Sequence, residues 1–291
     1  MTTDTVAPPT QHSTGPRASR VWWRRGGILA AGVGAVAGAV WVGLHVTPDP
    51  LAPPPLEPGQ VATAPLPAGL PTPVQRFYTT LYGQQVPVVD TAVISGRGTM
   101  RISGITFPAR WRFSHTTGQD YRHFIELTLF GRRVTAVNEW FLDGDARLEL
   151  PVGVSQGPTI DQGANLALWA EAVWMPTVWI TNPAVRWEPI DDTTARLIVP
   201  FQDDEETFTV HFDPTSGLLT RMESMRFKGE ADLQKTLWIN DASQWDNLDG
   251  HQVPGQTAIT WGDEAGPWAR LTTESVIYNA DLDDYLEANG P

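Results

Sequence analysis

The chain has 291 residues, a formal net charge of −13 and no cysteine. The acidic balance excludes nucleic acid as a partner, and it excludes an electrostatic attachment to anionic lipid headgroups. The lack of cysteine excludes disulfides, thiol catalysis, cysteine-based zinc sites and a lipid anchor on an N-terminal cysteine.

An uninterrupted apolar run covers residues 26–46 and directly follows two arginines. A helix of this length is about 30 Å long, the thickness of the hydrocarbon core of a bilayer. We therefore predict a disordered cytoplasmic tail at 1–20 and a single transmembrane helix at 21–46, with the lipid bilayer as a partner through residues 26–46. Because arginine is retained on the cytoplasmic side, we expect a cytoplasmic N-terminus and an extracytoplasmic C-terminal domain at the cell membrane.

A cleaved signal peptide is the alternative to a retained anchor. Ala37-Gly38-Ala39 resembles a small-residue cleavage site, so the N-terminal segment would then end after Ala39. Both alternatives export the rest of the chain. Nine prolines in residues 47–71 predict a Pro-rich linker, followed by an exported β-rich domain at 72–280 and an acidic tail at 281–291.

Short runs of alternating apolar and polar residues, separated by turn residues, dominate the exported part. The predicted strands are Ala92–Ser103, Phe107–Thr116, Tyr121–Phe130, Arg133–Leu142, Ala146–Leu150, Ala195–Phe201, Glu206–Phe212, Leu218–Phe227, Gln234–Asn240, Gln256–Trp261 and Ala269–Tyr278. A short helix is predicted over Pro73–Leu81. The fold class is therefore mainly β (α+β), with a curved antiparallel sheet or open half-barrel.

One helix interrupts the strands, from Asp161 to about Thr181. Thr159 or Asp161 can cap it, and Pro176 must break or kink it. Its apolar side chains cover nearly every face, so we expect it to be buried inside the concave side of the sheet. Glu171 is its one ionisable residue beyond the first turn, so this carboxylate needs an arginine partner, a raised pKa or access to solvent.

Ten tryptophans in the exported part are more than an ordinary core requires. A pocket walled by tryptophan and aliphatic side chains, with a few polar groups, suits an apolar ligand. We predict ligand-binding residues around the buried helix and the segment that follows it: Trp169, Glu171, Trp174, Trp179, Trp187 and Glu188.

Several strings resemble the markers of one uncharacterised bacterial membrane-anchored family. They are Leu70–Tyr78, Ala170–Thr177, Val185–Asp192, Asp249–Pro254 and the closing stretch from Trp268 to Asn279. The resemblance spans about residues 70–280 and implies no known activity. The order of elements is also similar to that of LolA/LolB-like lipoprotein-localisation carriers, which implies a bent sheet around an apolar cavity.

Catalytic and metal motifs receive little support. Gly153-Val154-Ser155-Gln156-Gly157 matches the nucleophile motif of serine hydrolases, but the helix would not start directly after the serine and the following chain is β-rich. The six histidines show no metal-ligand spacing beyond the His115/His123 pair, and the acidic runs do not fit a calcium loop. No catalytic residue, metal site or cofactor is therefore predicted, and the chain is not expected to be an enzyme.

Three functions stay open, and the order of preference is set by the tryptophans and the tether. The first is a membrane-anchored domain that binds or carries an apolar, lipid-like ligand. The alternative is an envelope protein-interaction or sensory domain with a protein partner. A serine hydrolase is the least favoured.

Overall fold

The alternating segments form one large antiparallel sheet in the computed structural model, which describes residues 1–3, 5, 34–150, 153–282 and 285–291. The strands are β1 (Thr63–Pro65), β2 (Gln85–Pro87), β3 (Thr91–Ile102), β4 (Ile105–Thr116), β5 (Asp120–Leu129), β6 (Arg132–Leu142), β7 (Asp145–Leu150), β8 (Gly153–Gln156), β9 (Arg186–Pro189), β10 (Thr194–Phe201), β11 (Asp204–Phe212), β12 (Leu219–Arg226), β13 (Thr236–Leu248), β14 (His251–Trp261) and β15 (Ala269–Tyr278). The helices are α1 (Thr72–Tyr82), α2 (Pro158–Glu171) and α3 (Val178–Thr181), with a 3-10 turn at Ala172–Trp174.

Thirteen of the described strands pair in the order β8-β7-β6-β5-β4-β3-β15-β14-β13-β12-β11-β10-β9. The sheet has two halves, β3 to β8 and β9 to β15, and within each half every strand pairs with its neighbour in sequence. The two halves join at the centre, where β15 pairs with β3. Residues of β6 and β7 line the same internal cavity as residues of β12 and β13, so the sheet curves around it without closing. The predicted mainly β architecture with a curved antiparallel sheet is confirmed.

Helix α2 lies inside the concave side of this sheet. Every residue from Ile160 to Ala170 is buried, which agrees with a helix that is apolar on nearly every face. The predicted side-chain cap is wrong: Gly157 is the N-cap residue with φ +107, and Pro158 opens the helix. Asp161 instead accepts a hydrogen bond from the backbone N–H of Ala146 at 2.8 Å, which ties the first turn of α2 to β7.

The predicted break at proline is confirmed. Helix α2 ends at Glu171, the 3-10 turn follows, and Pro176 precedes α3. The Tyr78 hydroxyl on α1 donates a hydrogen bond to the Pro176 carbonyl at 2.6 Å, and Tyr278 on β15 donates one to the carbonyl of Trp174. These bonds fix the segment that follows α2 to α1 and to β15.

The convex face of the sheet carries a row of arginines that contact the proline-rich segment. Arg97 donates to the carbonyl of Pro48 at 3.0 Å and Arg110 to that of Asp49 at 3.1 Å. Residues 63–65 also pair with β2 as a two-stranded sheet. The boundaries drawn at 47–71 and 281–291 stay predictions.

The chain divides into two compact units, Met1–Gly43 and Leu44–Pro291. In the first unit the described residues include a helical segment at 34–43, which ends three residues before the end predicted for the transmembrane helix. Most of the predicted tail and residues 21–33 of the predicted transmembrane helix lie outside the described residues. Within the described residues, no helix combines the length and the apolar character that a bilayer crossing requires.

Candidate ligand cavity and its polar end

A cavity of about 550 Å³ lies between α2 and the concave face of the sheet. This volume falls in the range of about 300–1,000 Å³ that is typical of small-molecule sites. Most of its lining is apolar and comes from both halves of the sheet and from α2, with representative side chains from Phe113, Ile125, Leu148, Ala167, Trp238 and Leu271. The β3–β4 turn at Ser103–Gly104 and the side chain of Lys228 line the cavity where it approaches the surface.

One end of the cavity is polar and contains a buried acid–histidine cluster. Nε2 of His123 on β5 lies 2.7 Å from Oε2 of Glu171, at the end of α2. On its other side, Nδ1 of His123 lies 3.4 Å from Oε2 of Glu139 on β6. The hydroxyl of Tyr121 donates a hydrogen bond to Oε1 of Glu139 at 2.6 Å. The ring of His123 is therefore held between two carboxylates.

The sheet register explains this arrangement. His123 and Glu139 are direct cross-strand partners in the β5–β6 pair, and Phe113 faces His123 from β4. Side chains two residues apart on a strand share a face, so His115 points to the same concave side as Phe113. The β4–β5 hairpin thus brings His115 and His123 to one end of the cavity.

His115 is fully buried, and neither of its ring nitrogens has a hydrogen-bond partner among the described residues. Its Nε2 lies 3.2 Å from Oε2 of Glu171, but outside hydrogen-bond geometry. An unsatisfied buried polar group costs about 1–3 kcal/mol, so this histidine is expensive to keep without a further partner.

Burial and charge set the protonation states in the cluster. Burial opposes the charged form of His123, but the negative charge of Glu171 and hydrogen bonds to both carboxylates outweigh it and raise the pKa of His123 to about 9. Burial also opposes the ionised form of Glu171, yet the charge of His123 and the contacts with the imidazole rings of His115 and His123 lower the pKa of Glu171 to about 2. Burial lowers the pKa of His115, which is therefore neutral. His123 and Glu171 form a buried ion pair.

Arg226, at the end of β12, supplies a second positive charge to the cavity lining. Its guanidinium lies 4.4 Å from the centre of the Trp238 ring, and it makes no hydrogen bond or ion pair with any described residue. Burial lowers the pKa of Arg226, while Glu139 and Tyr121 act in the opposite direction. A guanidinium keeps its charge in proteins, so Arg226 is a cation that lines an apolar cavity without a direct partner.

The structure separates the predicted ligand-binding residues into two groups. Glu171 and Trp174 line the cavity. Trp169 and Trp179 are buried outside its lining, where the Trp179 indole donates to the Trp169 carbonyl at 3.0 Å.

Farther along the same chain of contacts, the Trp187 indole donates to the Trp179 carbonyl at 3.2 Å. Glu188 lies on the edge strand β9, with 45% of its side chain exposed and an ion pair to Arg196 at 3.1 Å. These two residues also lie outside the cavity lining, although both were predicted to bind ligand.

The serine motif has a different geometry from a nucleophile elbow. Ser155 lies within the edge strand β8, paired with Leu148 of β7, and α2 begins only at Pro158. An elbow needs the serine at a sharp turn between a strand and a helix. The structure therefore gives the serine hydrolase hypothesis no support.

Sequence reasoning missed His115, His123, Glu139 and Arg226. The available signal was the inward parity of the two histidines on flanking strands of one predicted hairpin. Their placement opposite Glu171 depends on the depth at which α2 lies in the sheet, which no local pattern specifies.

The fold and the cavity together define an open half-barrel whose inserted helix encloses an apolar cavity with a charged end. Over residues 60–271 the chain matches DUF6544, a family of unknown function, and it belongs to that family. No curated protein matches the chain.

Solved structures show a similar arrangement at low sequence identity. A LolA superfamily protein from Nitrosomonas europaea is 10% identical, with a TM-score of 0.47 over 75% of this chain and 98% of that chain. An outer membrane lipoprotein-sorting protein domain from Vibrio parahaemolyticus is 11% identical, with a TM-score of 0.40 over 74% and 93%. A DUF1329 family protein from Desulfovibrio piger is 14% identical, with a TM-score of 0.39 over 68% and 90%.

Proposed function

We propose that this protein binds an apolar, lipid-like molecule with an acidic head, and holds it in the cavity between α2 and the sheet. The observation that carries the proposal is the pairing of about 550 Å³ of mostly apolar space with an unpaired guanidinium in its lining. The apolar walls favour a hydrocarbon body, because each buried CH₂ contributes about 0.8 kcal/mol.

The preference for an acidic head follows from Arg226. Its guanidinium lies over the Trp238 ring, and this cation–π contact leaves its N–H donors for a ligand. A carboxylate or phosphate accepts two parallel hydrogen bonds from a guanidinium, and such a bond in a nonpolar site is stronger than a neutral one. The charges of Glu139 and Glu171 are balanced in part by His123, which contacts both carboxylates. Neither carboxylate forms an ion pair with Arg226.

The location is part of the same proposal. Residues 26–46 would anchor the chain in the cell membrane with the N-terminus in the cytoplasm, and the cavity domain would work on the extracytoplasmic side. A carrier at this position would meet lipid-like molecules as they leave or approach the bilayer.

A matched pair of ligands tests the proposal. We expect a long-chain fatty acid to displace a fluorescent fatty-acid probe from the full-length protein more strongly than its methyl ester does. Arg226→Met should reduce the ratio of the affinities for acid and ester about tenfold, which corresponds to about 1.4 kcal/mol, and should leave the affinity for the ester unchanged. Arg196→Met is the control, because Arg196 is 50% exposed and pairs with Glu188 at 3.1 Å, and neither residue belongs to the cavity lining. Equal loss for acid and ester, or the same loss in the control, would contradict the role of Arg226.

A further inference from the structure

The polar end of the cavity also contains an arrangement that the binding of a lipid-like molecule does not use. Donor atoms from three separate elements converge there: a ring nitrogen of His115 on β4, a ring nitrogen of His123 on β5 and a carboxylate oxygen of Glu171 on α2. All three lie within 4.8 Å of one another. Two imidazoles and one carboxylate are a donor set that binds Zn²⁺ with an open coordination position.

We propose that His115, His123 and Glu171 bind a single divalent transition-metal ion, with Zn²⁺ as the best match. In a tetrahedral zinc site with bonds of about 2.0–2.1 Å, neighbouring donor atoms lie about 3.3 Å apart. Oε2 of Glu171 lies 3.2 Å from Nε2 of His115 and 2.7 Å from Nε2 of His123. The first distance already fits, and the second needs a movement of about half an ångström that the side chain of Glu171 can supply.

The unsatisfied ring of His115 is an independent reason for a ligand at this point. This side chain is 0% exposed, and neither ring nitrogen has a hydrogen-bond partner in the part of the chain that the structure describes. A metal bond to Nε2 gives this buried nitrogen a direct partner, where the protein alone offers the Glu171 carboxylate at 3.2 Å without hydrogen-bond geometry. A neutral imidazole is the form that binds metal.

The surroundings of His123 match those of a metal-bound histidine. Such a ring nearly always donates its second N–H to a carboxylate, a backbone carbonyl or a water, which orients the ring and raises its basicity. Here Nδ1 of His123 faces Glu139 at 3.4 Å, and Tyr121 in turn donates to Glu139 at 2.6 Å. Glu139 and Tyr121 therefore act as positioning residues.

The open position of the metal would face the cavity. His123 and Glu171 belong to the cavity lining, whereas His115 lies behind them. Metal binding at Nε2 of His123 releases the proton that this nitrogen carries in the ion pair, so the ring becomes neutral. Zn²⁺ and Arg226 then carry three positive charges against the two carboxylates of Glu139 and Glu171, which leaves one positive charge. A water-derived hydroxide or an anionic ligand group can balance this charge as the fourth ligand.

The test uses the full-length protein in detergent, freed of tags and stripped of metal with a chelator. Titration with Zn²⁺ against a chromogenic chelator should show one tight site per chain. His115→Gln and Glu171→Gln should each weaken binding more than about 100-fold, since even the loss of an outer-sphere partner costs about 10–100-fold. His211→Gln is the control and should bind like the parent protein, because His211 is 37% exposed and lies outside the cluster.

Two measurements on the unaltered protein keep the test independent of how the variants fold. The Co²⁺-substituted protein should show the intense visible absorption of a tetrahedral site, and X-ray absorption of the Zn²⁺ protein should show two imidazole ligands. An octahedral Co²⁺ spectrum, zinc without imidazole ligands, or equal affinity in Glu171→Gln and His211→Gln would overturn the proposal. Loss of zinc binding would leave the fatty-acid preference at Arg226 to be measured separately, so the two proposals can fail independently.

Discussion

The ion pair of His123 and Glu171 predicts that the metal-free protein loses stability as the medium becomes alkaline. The pKa of His123 rises from 6.5 in the unfolded chain to about 9 in the folded protein. The interaction is fully present below about pH 6.5 and is lost as the pH rises through about 9. A shift of this size corresponds to about 3 kcal/mol of unfolding free energy, and His123 is too buried for solvent to screen much of it.

The assay is urea unfolding, followed by tryptophan fluorescence in the presence of a chelator, between about pH 6 and about pH 10. Because tyrosines and lysines also titrate in this range, the relevant quantity is the difference between the parent protein and His123→Gln. We expect this difference to shrink by about 3 kcal/mol over the interval. His211→Gln should follow the parent protein throughout. Parallel pH profiles for the parent protein and His123→Gln would refute the buried ion pair.

Three further predictions concern the cluster, the sheet and the cavity. The pKa of Glu171 falls from 4.5 in the unfolded chain to about 2 in the folded protein, so its contribution to the free energy of unfolding is present above about pH 4.5 and is lost as the pH falls through about 2. The free energies of unfolding of the parent protein and Glu171→Gln, measured in urea, should therefore converge in acid. A difference that stays constant with pH would contradict this. Gly96→Ala should destabilise the domain by more than about 3 kcal/mol in thermal or urea unfolding, because a Cβ there would meet a β15 carbonyl oxygen at 1.9 Å, whereas Gly229→Ala, with open space around it, should be nearly neutral. Ala167→Phe should fill part of the cavity and weaken fatty-acid binding at least tenfold, about 1.4 kcal/mol, whereas Ala184→Phe at an exposed position should bind like the parent protein.

The sheet could be predicted because its information is local. Alternation of apolar and polar residues specifies which face of a strand is buried, and turn residues specify where it ends. All eleven predicted strands are present, from β3 to β7 and from β10 to β15. The strands that were missed, β1, β2, β8 and β9, have three or four residues each, which is too short for alternation to be recognised.

The buried helix could also be predicted, because apolar side chains on nearly every face of residues 161–175 exclude a surface position. Its partners could not. Glu171 was expected to need an arginine, a raised pKa or solvent, and the structure instead pairs it with His123 and lowers its pKa. The partner lies 48 residues away on another strand, and only the packing of α2 against the sheet brings the two together.

Ligand binding by the four predicted tryptophans stays a prediction, and of these four only Trp174 lines the cavity. Trp238, Trp261 and Trp268 line it as well. Trp169 was predicted from its neighbourhood in sequence, but it faces the packed side of α2. Proximity along a chain does not specify which side of a helix faces a cavity, because that depends on the strands that cover the other side.

The central claim is that the space between α2 and the sheet holds a lipid-like molecule. The most direct measurement is photo-crosslinking of the full-length protein in membranes with a fatty acid that carries a diazirine on its chain, followed by mapping of the labelled residues by mass spectrometry. We predict labels on cavity-lining residues such as Trp174, Ile259 and Leu271, and loss of these labels in Ala167→Phe. Labels confined to residues 26–46, or an unchanged pattern in Ala167→Phe, would contradict the claim.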